Sequence, residues 1–160
     1  MDLSRIRVAF EPALRRLFHF YWRFARGATL GVRAVVIDSD DRIFLVKHSY
    51  VSGWHLPGGG VETGETMRRA LARELREEGN IELAGAPVLH GLFFNAHVSR
   101  RDHVALYIVR EFRQIAAPVP NREIAGHGFF SRADLPPDTT QGTRARIAEV
   151  FDGKPAAEFW

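Results

Sequence analysis

The chain contains no cysteine in 160 residues. That excludes a disulfide framework, a thiolate metal site and a thiol nucleophile, so any metal must be held by oxygen or imidazole. No uninterrupted apolar run approaches the roughly 20 residues needed to cross a bilayer. The N-terminus is charged from Asp2 and Arg5 onward and lacks the clean apolar stretch of a secretory signal. A soluble, cytoplasmic protein is the expectation. Internal repeats and low-complexity tracts are also absent, and at this length, with 46% hydrophobic residues, the chain suits one compact domain.

Charge of one sign is scarce everywhere except at the start. Residues 1–26 hold six arginines against Asp2 and Glu11, whereas the remainder is close to neutral, so the net charge of +3 belongs to the N-terminal segment. It does not argue for nucleic-acid binding by the whole domain, and no stable nucleic-acid partner is expected. Within that segment Leu14, Leu17, Phe18, Tyr21 and Phe24 recur at helical spacing among Arg15, Arg16, Arg23 and Arg26, and Pro12 marks a start. The spacing predicts a basic amphipathic helix. Packing of its aromatic face on its own domain or on a second subunit is the preferred reading, and a membrane surface is the alternative.

From Leu30 the pattern changes to strands. LGVRAVVI and RIFLVKH flank Asp38-Ser39-Asp40-Asp41, a turn composition that predicts an antiparallel pair. A glycine-rich stretch, Leu56 to Gly60, precedes a run from Glu65 to Glu78 free of proline and glycine, which predicts a helix. Further strands are expected over 87–96, 103–112 and 127–131, and a last helix over 141–151. In the 65–78 helix Met67, Ala70, Leu71 and Leu75 form an apolar stripe, and Glu74 and Glu78 fall in the same sector with Glu77 at its edge. Carboxylates clustered on a core-facing sector cost desolvation and mutual repulsion unless something compensates them. A divalent cation does so, and spacing of i, i+3 and i+4 with hard oxygen donors suits Mg²⁺ or Mn²⁺. A solvated acidic turn paired to Arg73 and Arg76 accounts for the same spacing.

The segment from Gly59 to Ile81 reads Gly, five residues, Glu65, seven residues, then Arg73-Glu74-Leu75-Arg76-Glu77-Glu78-Gly79-Asn80-Ile81. It resembles the box of the Nudix family at every defining position except the last glycine, where Asn80 stands. Asparagine is the non-glycine residue most tolerant of the left-handed conformation needed past a helix. Trp54 to Gly60 is also similar to the family's approach to its box.

The resemblance covers residues 29–152, with an N-terminal helix over 1–28 and a tail over 153–160 outside it. It implies an α+β Nudix fold, a mixed sheet between helices in three α/β/α layers, and metal-dependent hydrolysis of a nucleoside diphosphate linked to another moiety, with Mg²⁺ or Mn²⁺ as cofactor. Carried over residue by residue, it gives Glu74, Glu77 and Glu78 as metal ligands, with the Gly58 or Gly59 carbonyl beside them. Arg73 would hold a carboxylate in its rotamer. Glu65 supports that network or serves as helix-start electrostatics, the two readings weighing equally. Glu123 is placed like a downstream glutamate that, in several members, joins the metal site or orients the water; an ordinary loop glutamate is the competing reading.

His90, His97, His103 and His127 show no ligand spacing and receive no role. Phe93, Phe94 and Asn95 suit a base-stacking pocket or the core. The stretch Leu92–Arg101 lacks the proline associated with ADP-ribose pyrophosphatases, so the substrate within the class stays open. A nucleotide-sensing module without catalysis is disfavoured because all the box acids are present, a membrane-peripheral diphosphatase is the other alternative, and a homodimer is open because members of the family are often dimers.

Overall fold

The computed structural model describes residues 18, 21, 27–118 and 123–160. The expected N-terminal helix lies outside the described residues except for Phe18 and Tyr21, which are helical and exposed. The order is β1 (Thr29–Val36), β2 (Ile43–His48), β3 (Trp54–His55), α1 (Met67–Gly79), β4 (Ile81–Leu83), β5 (Val88–Phe94), β6 (Asp102–Val109), β7 (Phe112–Gln114), β8 (Ile124–Phe130) and α2 (Gln141–Phe151).

One sheet runs β1-β6-β5 and a second β3-β2-β8, while β4 and β7 form a two-stranded ribbon. The first sheet is mixed, since β1 pairs parallel with β6, which pairs antiparallel with β5. The expected antiparallel pairing of the first two strands is therefore a correction: β1 and β2 meet only at the Ile37–Ile43 bridge and then enter different sheets. Both strands are buried on both faces, so their apolar runs carry no alternation that would name a partner.

Alternate residues of these two strands make the core. Val32, Ala34 and Val36 of β1 with Phe44 and Val46 of β2 pack against Ala70, Leu71 and Leu75 of α1. Val35 and Ile37 with Ile43 and Leu45 pack on the other side with Ile147 of α2. Two-residue strand periodicity thus feeds two helices on opposite faces, the three-layer arrangement expected of the sequence. Phe93 is fully buried in the second cluster, which assigns it to the core. Residues 153–160 dock rather than trail: Phe94 donates its N–H to the Glu158 carbonyl at 2.9 Å, Trp160 donates to the Phe94 carbonyl at 3.1 Å, and the Trp160 ring meets Phe93 edge-on.

Candidate active site

The glycine loop lies along β1 as an extra, irregular strand. Val32 donates its N–H to the Gly59 carbonyl, Ala34 to that of Pro57, and Val61 to that of Leu30. Gly58 has φ +136°, and a Cβ there would collide with the Val32 carbonyl, so the loop needs glycine at that position. Gly59 is held differently: its missing side chain leaves the space that the Glu74 carboxylate fills.

Helix α1 begins two residues later than the sequence predicts. Thr66 caps it by accepting from the Arg69 N–H at 3.3 Å, which puts Glu65 ahead of the first turn. From there Glu65 reaches Arg73, accepting from Nε at 3.2 Å and Nη2 at 3.1 Å. Arg73 also donates Nη1 to Glu74 at 2.7 Å and to Glu77 at 3.5 Å, and Nη2 to the Gly60 carbonyl at 3.0 Å. Its donors are fully engaged, and the hydrogen bonds it gives to Glu65 and Glu74 raise its pKa further. The same contact holds the Glu65 carboxyl below the usual glutamate range. The helix closes at Asn80 in the left-handed conformation, φ 49°, with its N–H on the Arg76 and Leu75 carbonyls.

The three box carboxylates are held in three different ways. Glu74 is tied to Arg73, Glu77 is largely in solvent, and Glu78 is buried at 7% exposure. Glu78 accepts from the Gly58 N–H at 2.7 Å through Oε2, and its Oε1 lies 3.4 Å from Nε2 of His48. Burial pushes the Glu78 carboxyl up to about 7, against the Gly58 N–H and the Arg33 charge, which pull it down, and with Glu74 and Glu77, which push it up. Burial drives His48 down to about 4, with Arg33 and His55 adding to it, so His48 is neutral and offers Glu78 no compensating charge. Burial also lowers His55.

All three carboxylates and Glu123 line one cleft of about 600 Å³, together with Arg33, His48 and Tyr50. Among the described residues no three acidic or imidazole side chains stand gathered tightly enough to enclose an ion. The donor set nevertheless fits a hard divalent cation: oxygen donors only, with a deeply buried carboxylate that no salt bridge to a permanent cation balances among the described residues. Of the two candidate carbonyls, that of Gly58 accepts Nη1 of Arg33 at 2.5 Å and that of Gly59 accepts the Val32 N–H at 2.8 Å, each retaining a second lone pair. Glu123 sits just before β8, its carbonyl accepting the Ser49 N–H at 2.8 Å.

A second cavity of about 820 Å³ opens on the other side of the glycine loop, lined by Leu30, Asn95, Val98, Asp102 and Trp160 among others. Asn95 donates to Asp102 at 2.8 Å there, and Thr29 to the same carboxylate at 2.7 Å. Sequence reasoning missed Arg33, His48 and His55. The available signal was a charged or imidazole residue interrupting strands that are otherwise apolar.

The family model for the NUDIX domain matches residues 27–151. An RNA pyrophosphohydrolase of Legionella pneumophila (strain Corby) is 35% identical over 65 residues, which cover 38% of this chain and 37% of that protein. A putative 8-oxo-dGTP diphosphatase of Bacillus subtilis (strain 168) is 42% identical over 50 residues, 31% of this chain and 34% of that protein. The matched stretch spans little more than a third of either relative. Among solved structures, a MutT NUDIX hydrolase from Burkholderia pseudomallei superposes with TM-score 0.65 at 28% identity, over 77% of this chain and 98% of that one. An ADP-ribose pyrophosphatase from Streptococcus suis 89-1591 shares the fold, with TM-score 0.60 at 24% identity over 82% and 98%.

Proposed function

The chain belongs to the NUDIX family, and from that premise we propose that it is a Mg²⁺- or Mn²⁺-dependent pyrophosphohydrolase acting on a nucleoside diphosphate linked to another moiety. The observation that carries this reading is Glu78: a carboxylate at 7% exposure, beside Glu74 and Glu77 on one helix, whose only ion-pair partner among the described residues is a neutral histidine. A purely structural helix would gain from an apolar residue there.

In this reading Glu74, Glu77 and Glu78 hold the cation, with the Gly58 or Gly59 carbonyl as a further donor. A bound divalent ion supplies charge neutralisation on the bridged phosphoryl groups and activation of a water. Arg73 fixes the Glu74 and Glu65 carboxylates and is therefore a positioning residue. Glu123, on the same cleft, orients the attacking water. Water oxygen bonds to one phosphorus, the bridging P–O bond breaks, the leaving phosphate takes the bridging oxygen, and a cleft carboxylate accepts the water proton. The second cavity receives the organic half of the substrate, with Trp160 and Leu30 as its apolar wall. We place the enzyme in the cytoplasm; among the described residues no helix is long and apolar enough to cross a membrane.

A phosphate-release screen tests the reading. Nucleoside triphosphates, nucleotide sugars, ADP-ribose and 5′-triphosphorylated RNA are offered with Mg²⁺ or Mn²⁺, beside Glu78→Gln. Metal-dependent turnover of at least one substrate, lost in the variant, is expected; turnover unchanged by Glu78→Gln, or none with any substrate, overturns it.

A further inference from the structure

Two arginines face the glycine loop, and their commitments differ. Arg73 spends Nε, Nη1 and Nη2 on three carboxylates and a carbonyl. Arg33 makes hydrogen bonds through Nη1 alone, to the carbonyls of Leu56 at 3.0 Å and Gly58 at 2.5 Å, and it pairs with no carboxylate. Among the described residues its Nε and Nη2 have no hydrogen-bond partner, and neither is sealed from solvent.

Its position is as distinctive as its bonding. Arg33 is a half-buried guanidinium that interrupts the apolar run of β1 between Val32 and Ala34, and its side chain leaves the strand on the face opposite theirs. It lines both cavities, on either side of Gly59 and Gly60. Of the other basic side chains on these walls, Arg146 is committed to Glu149 at 2.6 Å, and His48, His55 and His97 are imidazoles, which carry no permanent charge. Among the described residues Arg33 is therefore the one permanent positive charge on these walls that forms no salt bridge, although its field also reaches the Glu78 carboxylate. A cleft with four carboxylates on its wall otherwise repels a polyphosphate.

We infer that Arg33 is the anion-binding residue of the cleft, taking non-bridging oxygens of a diphosphate on Nε and Nη2 while Nη1 stays on Gly58, so that the diphosphate lies across the glycine loop between the two cavities. This rests on the diphosphate reading above for the nature of the anion. A guanidinium suits the task because its planar donors match two phosphate oxygens at once, and its anchored Nη1 fixes the plane in advance. The competing role is purely structural: a clamp that only holds the loop carbonyls.

Three substitutions separate the two roles. Arg33→Gln keeps an N–H donor for the Gly58 carbonyl without the charge, Arg33→Lys keeps the charge without the fork, and Arg33→Ala removes both. Calorimetric binding of inorganic pyrophosphate with Mg²⁺ is measured on the full chain for each, with KM and kcat in parallel. Gln and Ala are expected to weaken pyrophosphate binding about 10- to 100-fold and to raise KM similarly, since a charge-assisted pair contributes on that scale, with kcat much less affected. Lys should recover part of the loss. Equal binding by all four proteins, full recovery by Gln, or no pyrophosphate binding by the wild type overturns the inference. Arg33-dependent pyrophosphate binding by a wild type that hydrolyses nothing would leave it standing and remove the diphosphatase reading alone.

Discussion

Two glutamates of this molecule are equally hidden and differently compensated. Glu149 on α2 is 9% exposed and meets Arg146 at 2.6 Å and His90 at 3.4 Å, and the Arg146 guanidinium in turn stacks 4.4 Å from the Phe93 ring and donates to the Phe159 carbonyl at 2.7 Å. Glu78 on α1 is 7% exposed and meets a backbone N–H and a neutral imidazole. The first charge is balanced inside the protein and pins the C-terminal segment to the domain. In the proposed reading the second is left for a cation from outside. Burial alone marks neither residue as functional; the missing partner does.

The sharpest way to break this contrast is to neutralise each carboxylate in turn. Glu78→Gln should lower kcat by about 1,000-fold or more, the scale on which losing a metal ligand is felt, while leaving the metal-free protein at least as stable. Glu149→Gln should do the reverse, costing about 3 kcal/mol by leaving Arg146 buried and unpaired, with kcat of the folded enzyme unchanged. Denaturant melts and initial rates on the two variants check both, and a common phenotype would erase the distinction.

A smaller effect probes the geometry around the uncompensated charge. Gly59→Ala places a methyl where the Glu74 carboxylate lies. The carboxylate can swing away, so stability should change little, but its displacement from the cleft should reduce kcat by about 10- to 100-fold. Wild-type turnover by this variant would show that the position of Glu74 is immaterial. The smallest effect lies at the helix end. Asn80→Gly relieves a left-handed asparagine and should stabilise by about 0.5 kcal/mol without changing kcat, because the residue holds the end of α1 and touches nothing in the cleft.

Much of this was legible in advance, for reasons that differ by element. Helix α2 falls on the predicted 141–151 because its caps and apolar positions are local. The helix bearing the acids was located but placed two residues early, since Thr66 competes with Glu65 for the start and only the hydrogen bond to Arg69 decides. The pairing of β1 differs from the expectation because strand partners are non-local and a strand buried on both faces shows no alternation. Three short strands, β3, β4 and β7, went unseen because two or three residues carry no period. In the cleft, Glu74, Glu77, Glu78 and Arg73 announce themselves by spacing on one helix. Arg33 and His48 come from strands remote in sequence from that helix, so their convergence with it emerges only in three dimensions.

The central claim is that a divalent cation balances Glu78, and thermal denaturation measures it without reference to any substrate. With its folded pKa raised to about 7 from an ordinary 4.5, the metal-free native state holds the Glu78 proton that the unfolded chain has released. Stability from this group is therefore present at low pH and lost as pH rises through that interval, by about 3 kcal/mol in all. Mg²⁺ or Mn²⁺ should raise Tm strongly at about pH 8 and weakly at about pH 5, where the proton competes, and Glu78→Gln should abolish most of that difference. A wild-type Tm unmoved by either ion at about pH 8, or a Glu78→Gln variant that responds as fully as the wild type, would contradict the account.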